Sequence, residues 1–397
     1  MVILMTQNEL LAYFFENYLP KEEIAYRLPL ATSIAAFWPE ELNYRKQSAQ
    51  KLPLASWDGH PYWYALTSKL AAAGDQFVAV ARDEAIASLP QYAHDEGVMD
   101  EAYFSSVIEG AYSTRQRAHE LLASNDPPQN RNEQMIYNNY HALRFVLEHL
   151  DGPINEAVIL EIARILTANT LEEGVTSGYR DAGVQVVSGR QEIVYVAPEA
   201  QYVRPMMNAL LNYIADPTVH PVIKACVAHI YFVTIHPFFD GNGRTARALS
   251  YMILLKAGYH FIRQFPISGI LMQERSRYYK AIRAAQDPEN GYDFTYFLEY
   301  YAAMLEKSVE GIHAHVAKAK QLEHLAPALG QGEDGNRQLR GMKWLIQEDI
   351  STITTEAWRK KFKVSFETAR QDLHHLQDLG ALKMRTVGRK HFFDVVS

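Results

Sequence analysis

HPFFDGNGRTAR, residues 236–247, lies between two apolar segments with helical spacing. Its glycines, Gly241 and Gly243, permit the tight backbone with which the second helix is expected to begin. Amides at a helix N-terminus lack partners, and the helix dipole favours negative charge beside them. The sequence therefore predicts an anion site. Because Arg244 and Arg247 follow directly, a polyphosphate fits this site better than a single anion.

Each polar side chain of this segment has a distinct predicted task. His236 has the ordinary pKa of a general base at neutral pH, so it would take the proton from an attacking hydroxyl. Asp240 is a hard oxygen ligand suited to Mg²⁺, which takes one or two carboxylates beside substrate phosphates. Arg244 and Arg247 are expected to clamp phosphate oxygens, and Asn242 would add hydrogen bonds.

The surrounding segments predict a mainly α fold built as a helical bundle. The predicted helices are 99–123, 131–150, 153–169, 199–215, 221–234, one from within 241–247 to Gly258, 271–286 and 293–320. Residues 184–197 instead contain two β-branched runs around Ser-Gly-Arg, which predicts a β-hairpin. With no sheet to join, this hairpin is expected to be a flap over a site.

Residues 236–247 match all nine fixed positions of the Fic family signature, H-P-F-x-[D/E]-G-N-G-R-x-x-R. The resemblance extends over about residues 100–316. It implies a helical Fic core that uses Mg²⁺ and transfers AMP from ATP to a Ser, Thr or Tyr hydroxyl of a target protein. It also implies that the ATP phosphates are bound by Gly241, Asn242, Gly243, Arg244 and Arg247. The flap would bind the target by backbone pairing through Val184, Val186, Val194 and Val196.

A second motif, SSVIEG at residues 105–110, resembles the inhibitory pattern [S/T]-x-x-x-E-[G/N] of Fic proteins. Ser105 and Glu109 are four residues apart, hence on one face of a helix predicted at 99–112. The resemblance implies that Glu109 pairs with Arg247 and holds ATP in an unproductive position. An exposed or salt-bridged helical glutamate is the alternative for Glu109.

The last sixty residues differ from the rest of the chain. Two short helices, a longer helix at 365–379 and two strands predict a winged helix-turn-helix domain over 337–397. This segment has 12 Lys and Arg against 7 Asp and Glu, a net charge of +5. The predicted domains are thus an α-rich lobe at 1–97, a Fic core at 98–325 and the winged helix, after linker-like residues 326–336. Either DNA or a protein could be the partner of the winged helix.

Composition limits the remaining choices. The net charge is −7, and Cys226 is the sole cysteine, which excludes an intramolecular disulfide and fits a reducing cytoplasm. No signal peptide or apolar span is recognised, so neither a membrane nor an export route is expected. A homodimer is left open. Two alternative functions also stay open: a DNA-binding regulator whose Fic core senses a nucleotide, and an enzyme that removes AMP from a modified target.

Overall fold

The chain divides into two compact units, Met1–Val309 and Glu310–Ser397, in the computed structural model. The structure describes residues 5–30, 32–81, 91–124, 127–187, 192–329, 332–347, 350–387 and 390–396. Its elements are mostly helices, as the sequence predicts. The finer domain division at residues 97, 325 and 337 stays a prediction.

The N-terminal part of the first unit contains a β-hairpin that the sequence analysis missed. Its elements are α1 Gln7–Asn17, α2 Lys21–Arg27, α3 Ile34–Lys46, β1 Ala49–Ala55, β2 Pro61–Ala65 and α4 Ser68–Ala81. Leu52 and Leu54 are buried in β1, and Pro53 between them is exposed. Because proline is rare inside a strand, this alternation does not stand out as a strand in the sequence. Aromatic side chains pack this part against the rest of the first unit, since Tyr62 stacks on Phe294 with ring centroids 4.2 Å apart.

Helices form the rest of the first unit, with one more hairpin between them. The elements are α5 Gln91–Ile108, α6 Arg115–Ala123, α7 Arg131–Glu148, α8 Glu156–Thr167, β3 Gln185–Val187, β4 Ile193–Val196, α9 Ala200–Ala215, α10 Pro221–Ile235, α11 Asn242–Lys256, α12 Ile267–Gln273 and α13 Arg275–Gln286. The helix predicted at 221–234 is confirmed as α10, and nearly every one of its residues is buried. The hairpin is confirmed too, with Val186 opposite Tyr195; its turn, residues 188–191, lies outside the described residues.

The single helix predicted at 99–123 is wrong. Helix α5 ends at Ile108, and α6 begins only at Arg115. Gly110 adopts a left-handed conformation with φ +96°, which ends a helix at little cost for glycine alone. Glu109 consequently lies in the turn after α5, where its amide donates to the Ser106 carbonyl, and the predicted helical bounds 99–112 overshoot by one turn.

The linker predicted at 326–336 is also wrong in part. Helix α14, Thr295–Leu329, continues past its predicted end, and α15 begins at Glu333. Leu325 and Leu329 are buried in the core of the second unit, and this burial outweighs the helix-breaking tendency of Pro327.

The remaining elements of the second unit follow the predicted order. They are α15 Glu333–Gln347, β5 Thr352–Ile353, α16 Thr355–Phe362, α17 Phe366–Asp378, β6 Leu382–Val387 and β7 Lys390–Val395. The strands form an antiparallel sheet in the order β5-β7-β6. Trp358 is fully buried in its core, and its indole donates to the buried Asp372, 3.0 Å away. Among the described residues, no helix has the length and apolar character needed to cross a membrane.

Candidate active site

The loop between α10 and α11 is closed by hydrogen bonds of its own residues. His236 ends α10 in a left-handed conformation, φ 50°, and Gly241 precedes α11 with φ 83°. The Asn242 side chain accepts from the Phe238 amide at 2.9 Å and donates to the Phe238 carbonyl at 2.8 Å. Both polar ends of Asn242 thus hold the turn together, although the sequence analysis assigned this residue to phosphate.

The protonation state of His236 follows from its burial and from one backbone contact. Burial lowers the pKa of its imidazole to about 4, so the ring is neutral at pH 7. Its Nδ1 lies 3.3 Å from the Val233 carbonyl oxygen. Because a carbonyl only accepts hydrogen bonds, this contact requires the proton on Nδ1 and leaves the lone pair on Nε2.

Asp240 has one engaged and one open carboxylate oxygen. Its Oδ1 accepts from the Gly241 amide at 2.6 Å and from Arg244 Nη2 at 3.1 Å. Its Oδ2 lies 4.0 Å from Arg131 Nη2, and the side chain is 39% exposed. The open oxygen is therefore the one available to a cation.

Arg244 is almost completely buried beside this loop. Its Nη1 donates to the Leu166 carbonyl at 2.9 Å, in addition to the contact with Asp240. In this conformation the guanidinium connects the end of α8 to the loop, and only a rearrangement would bring it to a phosphate.

Arg247 is paired with the predicted inhibitory residues. Its Nη2 lies 2.9 Å from Glu109 Oε1 and 2.8 Å from the Ser105 carbonyl, while its Nε donates to the Ser105 hydroxyl at 2.9 Å. Burial alone would lower the pKa of this guanidinium, but the Glu109 carboxylate raises it, so Arg247 stays charged. The contact between Glu109 and Arg247 is the one that the resemblance implied.

The Glu109 carboxylate lies directly against the first turn of α11. A Cβ at Gly243 would lie only 2.8 Å from Glu109 Cδ. Only a glycine at this position leaves room for the carboxylate. An anion thus occupies the helix N-terminus at which the sequence predicts phosphate.

A cavity of about 660 Å³ opens between α13, the hairpin and the loop. Its walls include Glu109, His236, Gly243, Tyr279 and Gln286. The Tyr279 hydroxyl donates to the Ile108 carbonyl at 3.1 Å, so this wall also contacts the end of α5. The volume lies within the range of small-molecule sites.

A second cavity, of about 870 Å³, lies beside β4. Val194 and Tyr195 line both cavities, whereas Val196 lines only the second. Trp57 and Lys280 line other walls of the second cavity. The hairpin therefore separates two spaces, and its strand β4 faces each of them.

The sequence analysis gave no role to Arg180, which organises the base of the hairpin. Its Nε donates to the His236 carbonyl at 2.8 Å, its Nη1 to the Ala182 carbonyl at 2.9 Å, and its Nη2 to the Pro198 carbonyl. The backbone amide of Arg180 also donates to the Pro237 carbonyl, 2.9 Å away. The sequence GYR at 178–180 contains this arginine, but a sequence does not reveal which carbonyls a buried arginine reaches.

The structure brings most of the predicted site residues into one region. Glu109, Val186, Val194, His236 and Gly243 line the first cavity. Ser105 and Arg247 lie behind Glu109 and are buried, and the loop beside it carries Asp240, Gly241, Asn242 and Arg244. Val184 lies just outside β3, where its carbonyl accepts from the Ala197 amide at 3.1 Å.

Comparison with known proteins identifies the domain that carries this site. Residues 153–254 match the model of the Fic/DOC family. Protein adenylyltransferase fic-1 of Caenorhabditis elegans is 33% identical over 178 residues, which cover 43% of this chain and 31% of that protein. Protein adenylyltransferase Fic of Drosophila virilis is 34% identical over 143 residues, covering 36% of this chain and 27% of that protein. The alignments thus span less than a third of the length of these relatives.

Solved structures share the fold. A Fic family protein from Desulfovibrio desulfuricans G20 has a TM-score of 0.56 at 20% identity, covering 84% of this chain and 98% of that chain. A Fic domain containing signaling protein from Bacteroides thetaiotaomicron has a TM-score of 0.50 at 18% identity, covering 63% and 97%. Residues 153–254 therefore resemble the Fic/DOC family, and the chain shares the fold of a solved Fic family protein.

Proposed function

We propose that the chain is a protein adenylyltransferase that moves AMP from ATP to a Ser, Thr or Tyr hydroxyl of a target protein. The observation that carries this proposal is the placement of His236 and the start of α11 on one cavity of about 660 Å³. A neutral base and an anion-binding helix N-terminus thus face the same space. The names of the curated relatives agree with this activity.

The geometry suggests how the transfer would proceed. His236 Nε2 takes the proton of the acceptor hydroxyl as its oxygen attacks the α-phosphorus of ATP. The bond from that phosphorus to the bridging oxygen breaks, and pyrophosphate leaves with the electron pair. The amides at the start of α11 stabilise the charge that develops on the phosphate oxygens.

Asp240 fits a role in holding Mg²⁺. The described residues contain no group of three or more His, Cys, Asp or Glu that could hold a metal. Mg²⁺ does not require one, since it is commonly held by one or two carboxylates together with substrate phosphates. The open Oδ2 of Asp240, in the loop between α10 and α11, meets that requirement. When bound, Mg²⁺ would supply positive charge to the triphosphate.

We infer that the enzyme rests in an inhibited state. The Glu109 carboxylate lies against Gly243 and pairs with Arg247, so it occupies space and charge that a terminal phosphate would use. ATP bound beside it would be held out of line for attack. Removal of this carboxylate should therefore activate transfer.

The hairpin is the proposed binding element for the target. Val186, Val194 and Val196 lie in its strands and Val184 lies just before β3. A target segment would pair with a free strand edge. The cavity of about 870 Å³ beside β4 offers space for residues that flank the acceptor.

ATP labelled at the α-phosphate tests the proposal. The Glu109→Gly protein should transfer label to itself or to lysate proteins far more than the native chain does. Adding His236→Ala should reduce transfer by about 10²- to 10⁴-fold. Label that survives His236→Ala at the full level would defeat the assignment.

Removal of AMP from a modified target is the second candidate. Glu109 and His236 line the same cavity, so the carboxylate could orient a water molecule toward a bound phosphodiester. Release of AMP that Glu109→Gly abolishes would favour this reaction over simple transfer.

We also infer that residues 337–397 form a winged helix that binds a partner. Helix α17 would be the recognition helix, and its exposed positions include Arg370 and Gln371. Asp372 of the same helix is instead buried against Arg337 and Trp358 and so supports the core. DNA and protein are both candidate partners.

A further inference from the structure

Helix α5 packs against residues 263–269, which we call the support segment. This segment runs from the end of the 3₁₀ turn His260–Arg263 into α12. It lines neither of the cavities described above. Gly97, Glu101 and Phe104 follow helical spacing along α5 and meet the segment one after another.

Gly97 allows two backbones to touch. A Cβ at this position would lie 2.7 Å from Gln264 Cα and against the Arg263 carbonyl oxygen. Both neighbours are backbone atoms, which cannot rotate aside as a flexible side chain can. A methyl group at position 97 must therefore displace α5 from the support segment.

Glu101 lies one turn further along α5 and is buried. Its carboxylate accepts hydrogen bonds from the Ser268 amide at 2.9 Å and from the Ser268 hydroxyl. The same carboxylate lines a small buried gap together with Arg247. Glu101 thus connects the support segment to the surroundings of the arginine that pairs with Glu109.

Phe104 makes the third contact. Its ring edge would lie 3.1 Å from a Cβ at Gly269, so a larger residue there would press on the ring. The next residue, Ser105, already contacts Arg247. One end of α5 is therefore fitted to the support segment, and the other presents Ser105 and Glu109 to the site.

We propose that Gly97 and Glu101 are positioning residues that set where Glu109 lies, and that releasing α5 from the support segment relieves inhibition. The inference rests on the proposed function. Helix α5 spans about 18 Å from Gly97 to the turn at Glu109. Because a packed helix moves as one body, a displacement at Gly97 shifts Glu109 away from Arg247, and the 2.9 Å ion pair does not survive such a shift.

Gly97→Ala is the direct test. Two further variants weaken the polar contact without adding bulk: Glu101→Ala removes both acceptor oxygens, and Ser268→Ala removes the hydroxyl donor. Each should raise transfer of α-labelled AMP at least about tenfold over the native chain, toward the level of Glu109→Gly. The matched control is Gly74→Ala, because Gly74 also lies inside a helix but a Cβ there would meet only the His220 ring at 3.4 Å. This control should leave transfer unchanged.

A double variant separates positioning from general damage. The double variant that combines Gly97→Ala with Glu109→Gly should transfer as much AMP as Glu109→Gly alone, because the inhibitory carboxylate is already absent. A change that merely damages the fold would lower transfer in both backgrounds. Folded Gly97→Ala and Glu101→Ala proteins that stay at the native level, beside an active Glu109→Gly protein, would overturn the proposal.

Hydrogen exchange provides a readout that does not depend on transfer. Amides at residues 105–110 should exchange at least about tenfold faster in Gly97→Ala, and those of α10 should not change. Unchanged exchange at 105–110 overturns the positioning role whatever the enzyme does. Loss of all transfer in Glu109→Gly instead counts against the proposed function.

Discussion

His236 determines how the site responds to acid. Its pKa is lowered to about 4 by burial, whereas an unfolded chain binds a proton at about pH 6.5. Between these values the unfolded state holds more protons, so stability falls as the pH falls. The contribution of His236 should lower the free energy of unfolding by about 2 kcal/mol between pH 7 and pH 5. Urea unfolding at both pH values should show a smaller fall in the free energy of unfolding for His236→Asn than for the native chain. An equal fall in the two proteins would contradict the lowered pKa.

Arg180 should be as sensitive as any residue of the signature. Its guanidinium donates to the carbonyls of His236, Ala182 and Pro198, a fork that an ammonium cannot reproduce. In a Glu109→Gly background, Arg180→Lys should lower transfer at least about tenfold by loosening His236 and the hairpin together. Arg164→Lys is the control, because Arg164 pairs with the neighbouring Glu161 at the surface. Equal transfer in both variants would exclude this role.

The residue types of the site were predictable, but the partners of individual side chains were not. The spacing of His236, Asp240 and the glycines required a turn at a helix start, and the turn is there. Asn242 and Arg244 also looked like phosphate ligands, yet their polar atoms close the loop and connect it to α8. A sequence lists donors, whereas carbonyls such as those of Phe238 and Leu166 become partners only once the chain has folded.

The elements show the same division. Helix α10 was predictable because it is apolar nearly all round, and so was the hairpin of β3 and β4. The helix predicted at 99–123 extends beyond the end of α5 because hydrophobic periodicity continues past Gly110. The left-handed backbone of Gly110 ends the helix there. The support segment left no sequence signal, since Gly97 reads as an ordinary helical glycine until Arg263 lies beside it.

The hairpin should contribute to target binding through its backbone. Val194 lies in β4 between the two cavities, and a proline there would remove an amide and disturb the strand. In the Glu109→Gly background, Val194→Pro should lower labelling of lysate proteins at least about tenfold while ATP binding, followed by calorimetry, is kept. Val194→Thr retains the amide and a β-branched shape, so it should label normally. Loss of ATP binding in Val194→Pro would assign the hairpin to the nucleotide instead.

On the scale of the whole molecule, a buried ion pair joins the N-terminal elements to the rest of the first unit. Arg45 and Glu41 are both fully buried, 2.6 Å apart, and Arg45 Nη1 donates to the Tyr296 hydroxyl at 2.6 Å. Arg45→Ala would leave the Glu41 carboxylate buried without its partner, so it should cost about 3–5 kcal/mol in urea unfolding. Arg27→Ala, at an exposed pair with Glu23, should cost under about 1 kcal/mol. A small loss in Arg45→Ala would mean that water reaches the pair.

The second unit gives the sharpest test of a nucleic-acid partner. Arg370 on the exposed face of α17 is paired with Glu367 at 2.8 Å, so a phosphate must displace a carboxylate to reach it. If the full chain binds duplex DNA, Glu367→Gln should tighten binding by freeing Arg370 and removing a repelling charge, whereas Arg370→Glu should weaken it. Affinity measured by fluorescence anisotropy should fall steeply between 50 and 200 mM salt, as counterion release requires. If neither the native chain nor Glu367→Gln binds the duplex at 50 mM salt, DNA is excluded as the partner of α17. A protein is then the remaining candidate.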